Sequence, residues 1–152
     1  MPTIVERIPR ARKTQKALRG LGYDFNSSVA DIIDNSIAAN ATNIKVYFFR
    51  RDNKFKLYVI DNGIGMNKKE LSEAITYGSD VEYTEESLGK FGMGLKTASL
   101  AHCNYLNIFS KNYESESHIG TGINTDLVDK EDRWLTLDYE MEETESILSD
   151  LP

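Results

Sequence analysis

The spacing of hydrophobic and polar residues changes several times along the chain, and each change predicts a different secondary-structure element. Apolar side chains recur at helical spacing over residues 29–37, which predicts a helix that is capped within residues 26–28 and ends near Asn40. Residues 44–49 and 55–60 are rich in β-branched and aromatic side chains, and the charged turn between them predicts a hairpin. Further helices are predicted over residues 14–21, 68–77 and 95–103, and further strands over residues 105–110 and 117–123.

The order of these elements decides the predicted fold class. Consecutive strands favour hairpins, so we expect an α+β arrangement with helices on one face of the strands rather than a doubly wound parallel sheet. The length of 152 residues suits a single domain, residues 1–152, with one core. Residues 78–94 are polar, contain glycine and are too long for a simple connection, which predicts a functional loop or lid.

Composition narrows the class of protein. Hydrophobic residues make up 40% and charged residues 28% of the chain, which is typical of globular domains and excludes disordered and collagen-like chains. Apolar runs such as residues 57–60 fall far short of the roughly 20 residues of a membrane span, so we expect no membrane partner. A single cysteine, Cys103, excludes an internal disulfide, and we therefore expect a reducing compartment, cytoplasmic or, in a eukaryote, nuclear.

Charge is distributed unevenly along a chain whose net charge is −6. A run of basic residues extends from Arg7 to Arg19, with Glu6 as its nearby counter-charge. Such a cluster is able to bind nucleic acid, although the more ordinary interpretation is the solvated face of a helix. Residues 126–150 are rich in acids instead, and a solubilising surface is the simpler interpretation of that segment.

Three segments carry residues that are suited to chemistry, and two of them lie in the first half of the chain. Asp31 and Asn35 are four residues apart and share one face of the predicted helix, where a carboxylate and an amide can point into one site. The ordinary interpretation is the wet side of an amphipathic helix. Residues 61–66, with the sequence DNGIGM, follow a strand. Their glycines permit close approach to a ligand, and a plain Asp-Asn-Gly turn is the alternative.

The third segment is glycine-rich and precedes a predicted helix. Gly89, Gly92 and Gly94, in the sequence GKFGMGLKT, are predicted to form a nest whose backbone amides bind phosphate oxygens together with the helix N-terminus. Lys90 and Lys96 add positive charge. A Walker loop is excluded because a leucine separates Gly94 from Lys96, and the glycine spacing reverses the dinucleotide-binding pattern.

Taken together, the three segments resemble the GHKL superfamily of ATP-binding domains, which contains DNA gyrase B subunits, heat-shock chaperone ATPases, histidine kinases, MutL and MORC proteins. The resemblance lies in the order of the motifs and covers roughly residues 15–111. The amino-acid sequence of the motifs is most similar to that of the MORC-like and chaperone-like branch, in which FGxGxK precedes the helix. The resemblance implies a Bergerat-type two-layer α/β sandwich, with a mixed, mostly antiparallel sheet, helices on one face and ATP between the helical layer and the lid.

The resemblance also implies roles for individual residues. Asn35 would take the place of the magnesium-binding asparagine, which is chemically sufficient because Mg²⁺ retains water and phosphate oxygens as its other ligands. Asp61 would accept a hydrogen bond from the exocyclic amine of adenine and repel the carbonyl oxygen of guanine. Gly65 and Met66 would line the adenine slot. The residues implied in phosphate binding are Gly89, Lys90, Phe91, Gly92, Met93, Gly94, Leu95 and Lys96.

The chain departs from the family pattern at positions that bear on catalysis. Active hydrolases of this superfamily carry Glu four residues before the magnesium-binding Asn, whereas this chain has the shorter Asp31 as its candidate catalytic residue. Ala38 replaces a frequent Asp, while Ala39 keeps a small residue beside the nucleotide. Relatives close the sheet with a Gly-Thr strand. We expect its counterpart beyond Pro152 rather than at residues 120–122, so that the chain is the N-terminal fragment of a longer protein.

The function implied is an ATP-binding domain, with ATP or ADP as ligand and Mg²⁺ as cofactor, whose slow hydrolysis drives a conformational change or nucleotide-dependent homodimerisation. We expect weak but measurable hydrolysis by the whole protein and very little or none by this chain alone. One alternative is a module that senses ATP without hydrolysing it. A second is a protein-histidine kinase catalytic domain, although neither His102 nor His118 has the context of a phosphate acceptor. A third is nucleic-acid binding through the basic segment that ends at Arg19.

Overall fold

A computed structural model describes residues 3, 5, 8–22, 24–77 and 94–152, and these residues form six helices and five strands. In chain order the elements are α1 (Ala11–Arg19), α2 (Phe25–Ala38), β1 (Ile44–Arg51), β2 (Lys54–Asp61), α3 (Lys68–Ile75), α4 (Gly94–His102), β3 (Tyr105–Ser110), β4 (Ile119–Asn124), α5 (Thr125–Glu131), β5 (Leu137–Tyr139) and α6 (Met141–Ser149). The α+β class and the order of the predicted elements are confirmed. Within these ranges, none of the helices combines the length and hydrophobicity that crossing a bilayer requires.

The strands pair in two antiparallel sheets. β1 and β2 form a hairpin whose register runs from the pair Ile44 and Asp61 to the pair Arg51 and Lys54. β4 lies between β3 and β5 in a three-stranded sheet. Every pairing in the described part of the chain is antiparallel, in agreement with the mostly antiparallel arrangement that was expected, and the strands form two sheets there.

The N-terminus of α2 is fixed by a residue that precedes the predicted cap. Asp24 is the N-cap, and its Oδ1 accepts hydrogen bonds from the backbone N–H groups of Asn26 and Ser27. The hydroxyl of Ser27 also donates to this carboxylate, and these bonds lower the pKa of Asp24. The predicted cap within residues 26–28 was therefore wrong, because a carboxylate placed one turn earlier satisfies the free amides of that stretch.

Residues 125–149 form two helices and a strand where the sequence analysis identified only an acidic surface. The side-chain oxygen of Asn124 caps α5 by accepting from the backbone N–H of Asp126. At the start of α6, the carboxylate of Glu143 accepts from the backbone N–H of Glu140 across 3.1 Å. Acids in the first turn of a helix are stabilised by the helix dipole, so the acidic composition favours these two helix starts.

The basic segment contacts the rest of the domain. Arg12 Nε donates to the backbone oxygen of Asp129 across 2.6 Å, and Lys16 Nζ lies 3.9 Å from a carboxylate oxygen of the same residue. Arg19 donates to the side-chain oxygen of Asn104 across 2.9 Å. Through these contacts, cations of α1 hold that helix against α5 and the end of α4. The contacts favour the interpretation of the basic segment as one face of a helix over the interpretation as a nucleic-acid-binding cluster.

The core lies where α1, α3 and α4 meet the three-stranded sheet and α5. Its buried apolar cluster consists of Ala11, Ile75, Leu100, Ile123 and Val128. Cys103 packs against this cluster, and burial raises the pKa of its thiol. Cys103, which directly follows α4, therefore contributes to the packing of the core.

Candidate functional site

One face of α2 carries the first group of predicted site residues. Asp31, Asn35 and Ala39 follow one another at intervals of four, so they lie along one side of the helix and its C-terminal end. The amide nitrogen of Asn35 donates to the backbone oxygen of Asp31 across 3.0 Å. This bond fixes the orientation of the amide. It leaves Asn35 Oδ1 as the amide atom that can coordinate a metal ion or accept a hydrogen bond. Asn35 is exposed and Asp31 is half-buried.

Asp61, at the end of β2, is held by two hydrogen bonds from different elements. Ser36 Oγ donates to Asp61 Oδ2 across 2.8 Å, and the backbone N–H of Gly63 donates to Asp61 Oδ1 across 2.9 Å. Ser36 is only 4% exposed, whereas Asp61 is exposed. The two donors therefore fix the orientation of the Asp61 carboxylate, and each of its oxygens keeps a lone pair with which it can accept a further hydrogen bond. No sequence pattern assigned a role to Ser36. The position of Ser36 directly after Asn35 was the signal that could have identified it as a site residue.

The turn after Asp61 packs closely on backbone at two points. The backbone N–H of Ile64 donates to the carbonyl of Ala39 across 2.9 Å, which joins the turn to the end of α2. A Cβ on Gly63 would lie 2.8 Å from that carbonyl oxygen. Gly65 has φ +67°, and a Cβ there would lie 2.1 Å from the carbonyl oxygen of Lys111. Both glycines are required because the neighbouring backbone leaves no space for a side chain.

Side-chain hydrogen bonds fasten the same turn to its surroundings. Asn62 Oδ1 accepts from the backbone N–H groups of Thr42 and Asn43 across 3.0 and 2.8 Å. The backbone N–H of Met66 donates to Ser110 Oγ across 2.8 Å. Residues 61–66 therefore connect α2 and the hairpin with the end of β3, and they form a preorganised surface.

Lys96 lies in the first turn of α4 and is buried, with 1% of its surface exposed. Its Nζ donates to the backbone oxygen of Thr76 across 2.7 Å and lies 5.6 Å from the centre of the Tyr77 ring. Burial lowers the pKa of the Lys96 ammonium because the charged form loses solvation. The sequence predicts that the Lys96 ammonium is directed at phosphate. In the structure this ammonium donates to the carbonyl of Thr76 instead.

The remaining predicted phosphate-binding residues are only partly placed. Gly94 is the first residue of α4, and the following Leu95 is half-buried. The predicted residues that lie outside the described part of the chain are Gly89, Lys90, Phe91, Gly92 and Met93, the preceding residues 78–88 of the predicted loop or lid, and Arg7 of the basic segment.

The donor set at this site is compatible with Mg²⁺ held jointly with a phosphate. Among the described residues there is no group of three or more His, Cys, Asp or Glu side chains that could hold a metal unaided. The Asn35 amide oxygen and the nearby Asp31 carboxylate are oxygen ligands of the type that Mg²⁺ prefers. Because Mg²⁺ requires few protein ligands when phosphate oxygens and water complete its shell, these residues fit the ion.

Comparisons with known proteins agree with this site. A family model described as "Histidine kinase-, DNA gyrase B-, and HSP90-like ATPase" matches residues 23–151. The chain is 36% identical over 78 residues to ATPase MORC2B of Mus musculus, which covers 48% of this chain and 8% of that protein. It is 35% identical over 78 residues to ATPase MORC2 of Homo sapiens, with the same coverage.

A bacterial relative extends the comparison along the chain. DNA mismatch repair protein MutL of Borrelia garinii subsp. bavariensis is 32% identical over 110 residues, which covers 68% of this chain and 18% of that protein. The chain therefore spans less than a fifth of the length of each of these three relatives.

The family match covers most of the chain and includes Asp31, Asn35 and the turn at residues 61–66. The resemblance to MORC proteins and MutL that the motifs predicted is confirmed by the relatives found. Membership of an ATPase family supports nucleotide binding, with ATP as the ligand. The chain belongs to the family of histidine kinase-, DNA gyrase B- and HSP90-like ATPases.

Proposed function

We propose that this domain binds ATP with Mg²⁺ and hydrolyses it slowly, and that the nucleotide cycle drives a conformational change or homodimerisation. The observation that carries the proposal is the Asp61 carboxylate, which Ser36 and Gly63 orient at the end of β2 while it remains exposed. An exposed carboxylate with fixed geometry is suited to reading a hydrogen-bond donor on a ligand.

Base selection is assigned to Asp61. The carboxylate accepts from the exocyclic amine of adenine, whereas guanine would place a carbonyl oxygen against it. Gly65 and Met66 line the slot beside the base, and the absence of a side chain at Gly65 lets the turn lie close to both backbone and ligand. Ala39, whose carbonyl is bonded to the turn, keeps this end of α2 narrow.

The metal and the reacting water are assigned to α2. Asn35 contributes its amide oxygen to Mg²⁺, which when bound neutralises phosphate charge. Asp31 lies one helical turn before Asn35, where its carboxylate would either activate the attacking water or orient a water near the metal that Asn35 would hold. Because Asp is shorter than the usual Glu, the carboxylate stands back from the phosphate, and slow turnover is expected.

The phosphates are assigned to residues 89–96. Gly94 and Leu95 begin α4, whose N-terminal amides favour an anion. The Lys96 ammonium has three N–H donors, so its Nζ can donate to a phosphate oxygen whether it keeps or releases the carbonyl of Thr76. A charged acceptor forms a stronger hydrogen bond with an ammonium than a carbonyl does, which favours the contact with phosphate.

The assembly and the location are also part of the proposal. Residues 61–66 connect α2, the hairpin and β3, so a ligand that shifts this turn would act on several elements together. We therefore propose that ATP binding is coupled to movement or pairing of domains in the whole protein. A reducing compartment is proposed because Cys103 is a free thiol.

Titration calorimetry of the chain with ATP and MgCl₂ tests the proposal. Saturable binding is expected, together with a preference for ATP over GTP. Asp61→Asn should lower the affinity by about 10- to 100-fold or more, because a charged acceptor is replaced by an amide. The matched control is Asp52→Asn in the hairpin turn, at a left-handed position that Asn tolerates.

The outcomes divide the hypotheses. Absence of binding at millimolar ATP, or equal affinity in Asp61→Asn and the parent, would contradict the proposal. Tight binding without detectable phosphate release, in the whole protein as well as in this chain, would support the alternative of an ATP sensor.

A further inference from the structure

The register of the β1–β2 hairpin sorts its side chains into two distinct faces. Directly paired residues of an antiparallel hairpin share a face, and alternate residues along a strand lie on opposite faces. One face carries aromatic rings in its middle and cations at its ends. This face consists of Lys45, Tyr47, Phe49, Arg51, Lys54, Lys56, Tyr58 and Ile60, and we call it the basic-aromatic face.

The aromatic side chains of this face form a continuous array. The rings of Tyr47 and Phe49 are parallel within 9°, with centroids 6.3 Å apart. The ring of Tyr58 meets Phe49 edge to face at 5.9 Å. Phe49 is 45% exposed, although a phenyl ring in a structural role is normally buried. Part of its surface is therefore available for stacking with a planar ligand.

Cations border the array at the turn end of the hairpin. Arg51, Lys54 and Lys56 are exposed, and together with Phe49 and Tyr58 they line a cleft of about 570 Å³. Arg50 lines the cleft as well, together with two acids, Asp52 and Asp150. Four cationic side chains therefore outnumber two acidic ones, and the lining side chains keep a net positive charge.

The positive charge of the cleft is local, because the whole chain has a net charge of −6. The ion pair between Arg51 and Asp52 spans 3.8 Å with both side chains almost fully exposed, and pairs of this kind contribute little. Arg51 therefore remains able to bind an anion that enters the cleft.

The face is separate from the proposed nucleotide site. Asp61 pairs with Ile44 at one end of the hairpin, and Arg51 pairs with Lys54 at the other. At about 3.3 Å per residue, the seven intervening steps place the two ends roughly 23 Å apart. A ligand in the cleft and a nucleotide at Asp61 would therefore occupy different parts of the hairpin.

We propose that the basic-aromatic face binds a single-stranded nucleic acid. Cations that follow the strands pair with backbone phosphates, and exposed rings between them stack with unpaired bases. A duplex hides the faces of its bases, and an acidic peptide does not place a planar ring beside every negative charge, whereas a single strand carries one base for each phosphate. The combination of stacked aromatic rings with flanking cations therefore selects a single strand among polyanions.

Fluorescence anisotropy with a labelled 12-nucleotide oligodeoxythymidine tests the proposal, using the 152-residue chain without ATP at low salt. Arg51→Ala, Lys54→Ala and Lys56→Ala combined should weaken binding at least about tenfold. The same variant should reduce the slope of log affinity against log salt by about 2, at roughly 0.7 for each phosphate that is no longer neutralised. The matched control removes three exposed cations elsewhere, Lys68, Lys130 and Arg133, and should stay within about twofold of the parent.

The aromatic part of the face has its own variant. Phe49→Leu should weaken binding about tenfold while leaving the salt slope unchanged, because stacking releases no counterions. Tyr113→Leu, at a ring that is 90% exposed elsewhere, is the matched control and should bind as the parent does. Circular dichroism of each variant checks that the fold is retained.

Four results would overturn the proposal. The first is that the parent shows no saturable binding at low salt, and the second is that the control triple variant weakens binding as much as the hairpin variant does. The third is that a duplex or polyglutamate competes as well as the single strand. The fourth is that removal of Arg10 and Lys13 in the basic segment abolishes binding while the hairpin variants leave it intact. Because no ATP is present, failure here leaves the proposed ATP site unaffected.

Discussion

Ser36 and Asp61 are joined by a hydrogen bond of 2.8 Å that links the last turn of α2 to the last residue of β2. The donor is buried and the acceptor is exposed. The position of the Asp61 carboxylate at the surface therefore depends on the position of α2. This geometry makes Ser36 a positioning residue for the adenine contact assigned to Asp61.

Ser36→Ala should weaken ATP binding about fivefold, which corresponds to the roughly 1 kcal/mol that one such hydrogen bond contributes. Calorimetry with ATP and with ADP should give the same loss, because the contact is with the base and not with the phosphates. Ser149→Ala, which removes an exposed serine hydroxyl on α6, is the control. A loss confined to ATP would contradict the positioning role.

Asp31 decides whether the domain is an enzyme. Asp31→Ala should keep ATP affinity and lose turnover, whereas Asp31→Glu should keep or raise turnover, by up to about 100-fold if the longer side chain closes a gap of about 1 Å. Asn35→Ala should lose the magnesium-dependent part of ATP binding. Phosphate release by the whole protein is the measurement. Turnover in Asp31→Ala equal to that of the parent would refute the base assignment.

Gly65 is expected to be the most sensitive glycine of the turn. Gly65→Ala should lower the free energy of unfolding by about 2–5 kcal/mol, because it combines a left-handed backbone with overlap on the carbonyl of Lys111. Gly22→Ala is a matched control with φ +75°, where the non-adjacent residues that the structure describes place no atom within 4 Å of the new Cβ, and about 1–2 kcal/mol is expected there. Urea unfolding of both variants measures the difference, and equal losses would show that the close packing is unimportant.

Lys96→Met should separate binding from stability. ATP affinity should fall about 10-fold or more with the loss of a charged donor, while the free energy of unfolding at neutral pH should stay equal or rise, because methionine fills the space without a desolvated charge. A variant that keeps ATP affinity but loses stability would assign Lys96 a structural role at Thr76 instead.

The pH dependence of stability provides a second measurement on Lys96. Because burial lowers its pKa in the folded chain, the unfolded chain holds more protons on this group at pH values between the lowered pKa and 10.5. The free energy of unfolding of the parent should therefore rise with pH across that interval relative to Lys96→Met. Urea unfolding at several pH values from neutral to about 9.5 tests the sign, and parallel curves would contradict it.

Local patterns were sufficient to predict the hairpin. The strands extend slightly beyond their predicted ends because Asp52 and Asn53 both adopt positive φ, which permits a two-residue turn closed by Arg51 and Lys54. Asp and Asn tolerate this conformation, so the turn chemistry was present in the sequence. The motif residues on α2 and in the turn were likewise recognised from their spacing.

The relationships that sequence patterns did not predict depend on tertiary structure or on competing caps. The bond from Ser36 to Asp61 joins residues that are 25 positions apart, and no local period indicates it. Lys96 has the polarity of a surface residue, and only its proximity to Thr76 explains its burial. The helices after Asn124 were missed because their acidic composition outweighed their capping signals.

The contact between Thr76 and Lys96 also has a consequence for the length of the chain between them. Their 2.7 Å hydrogen bond closes a loop, so the two ends of this span are brought together by the protein itself and not by the ligand. The entropy of closing a loop grows only logarithmically, and doubling the length adds about 0.6 kcal/mol. The position of these two ends should therefore depend on this contact far more than on the number of residues between them.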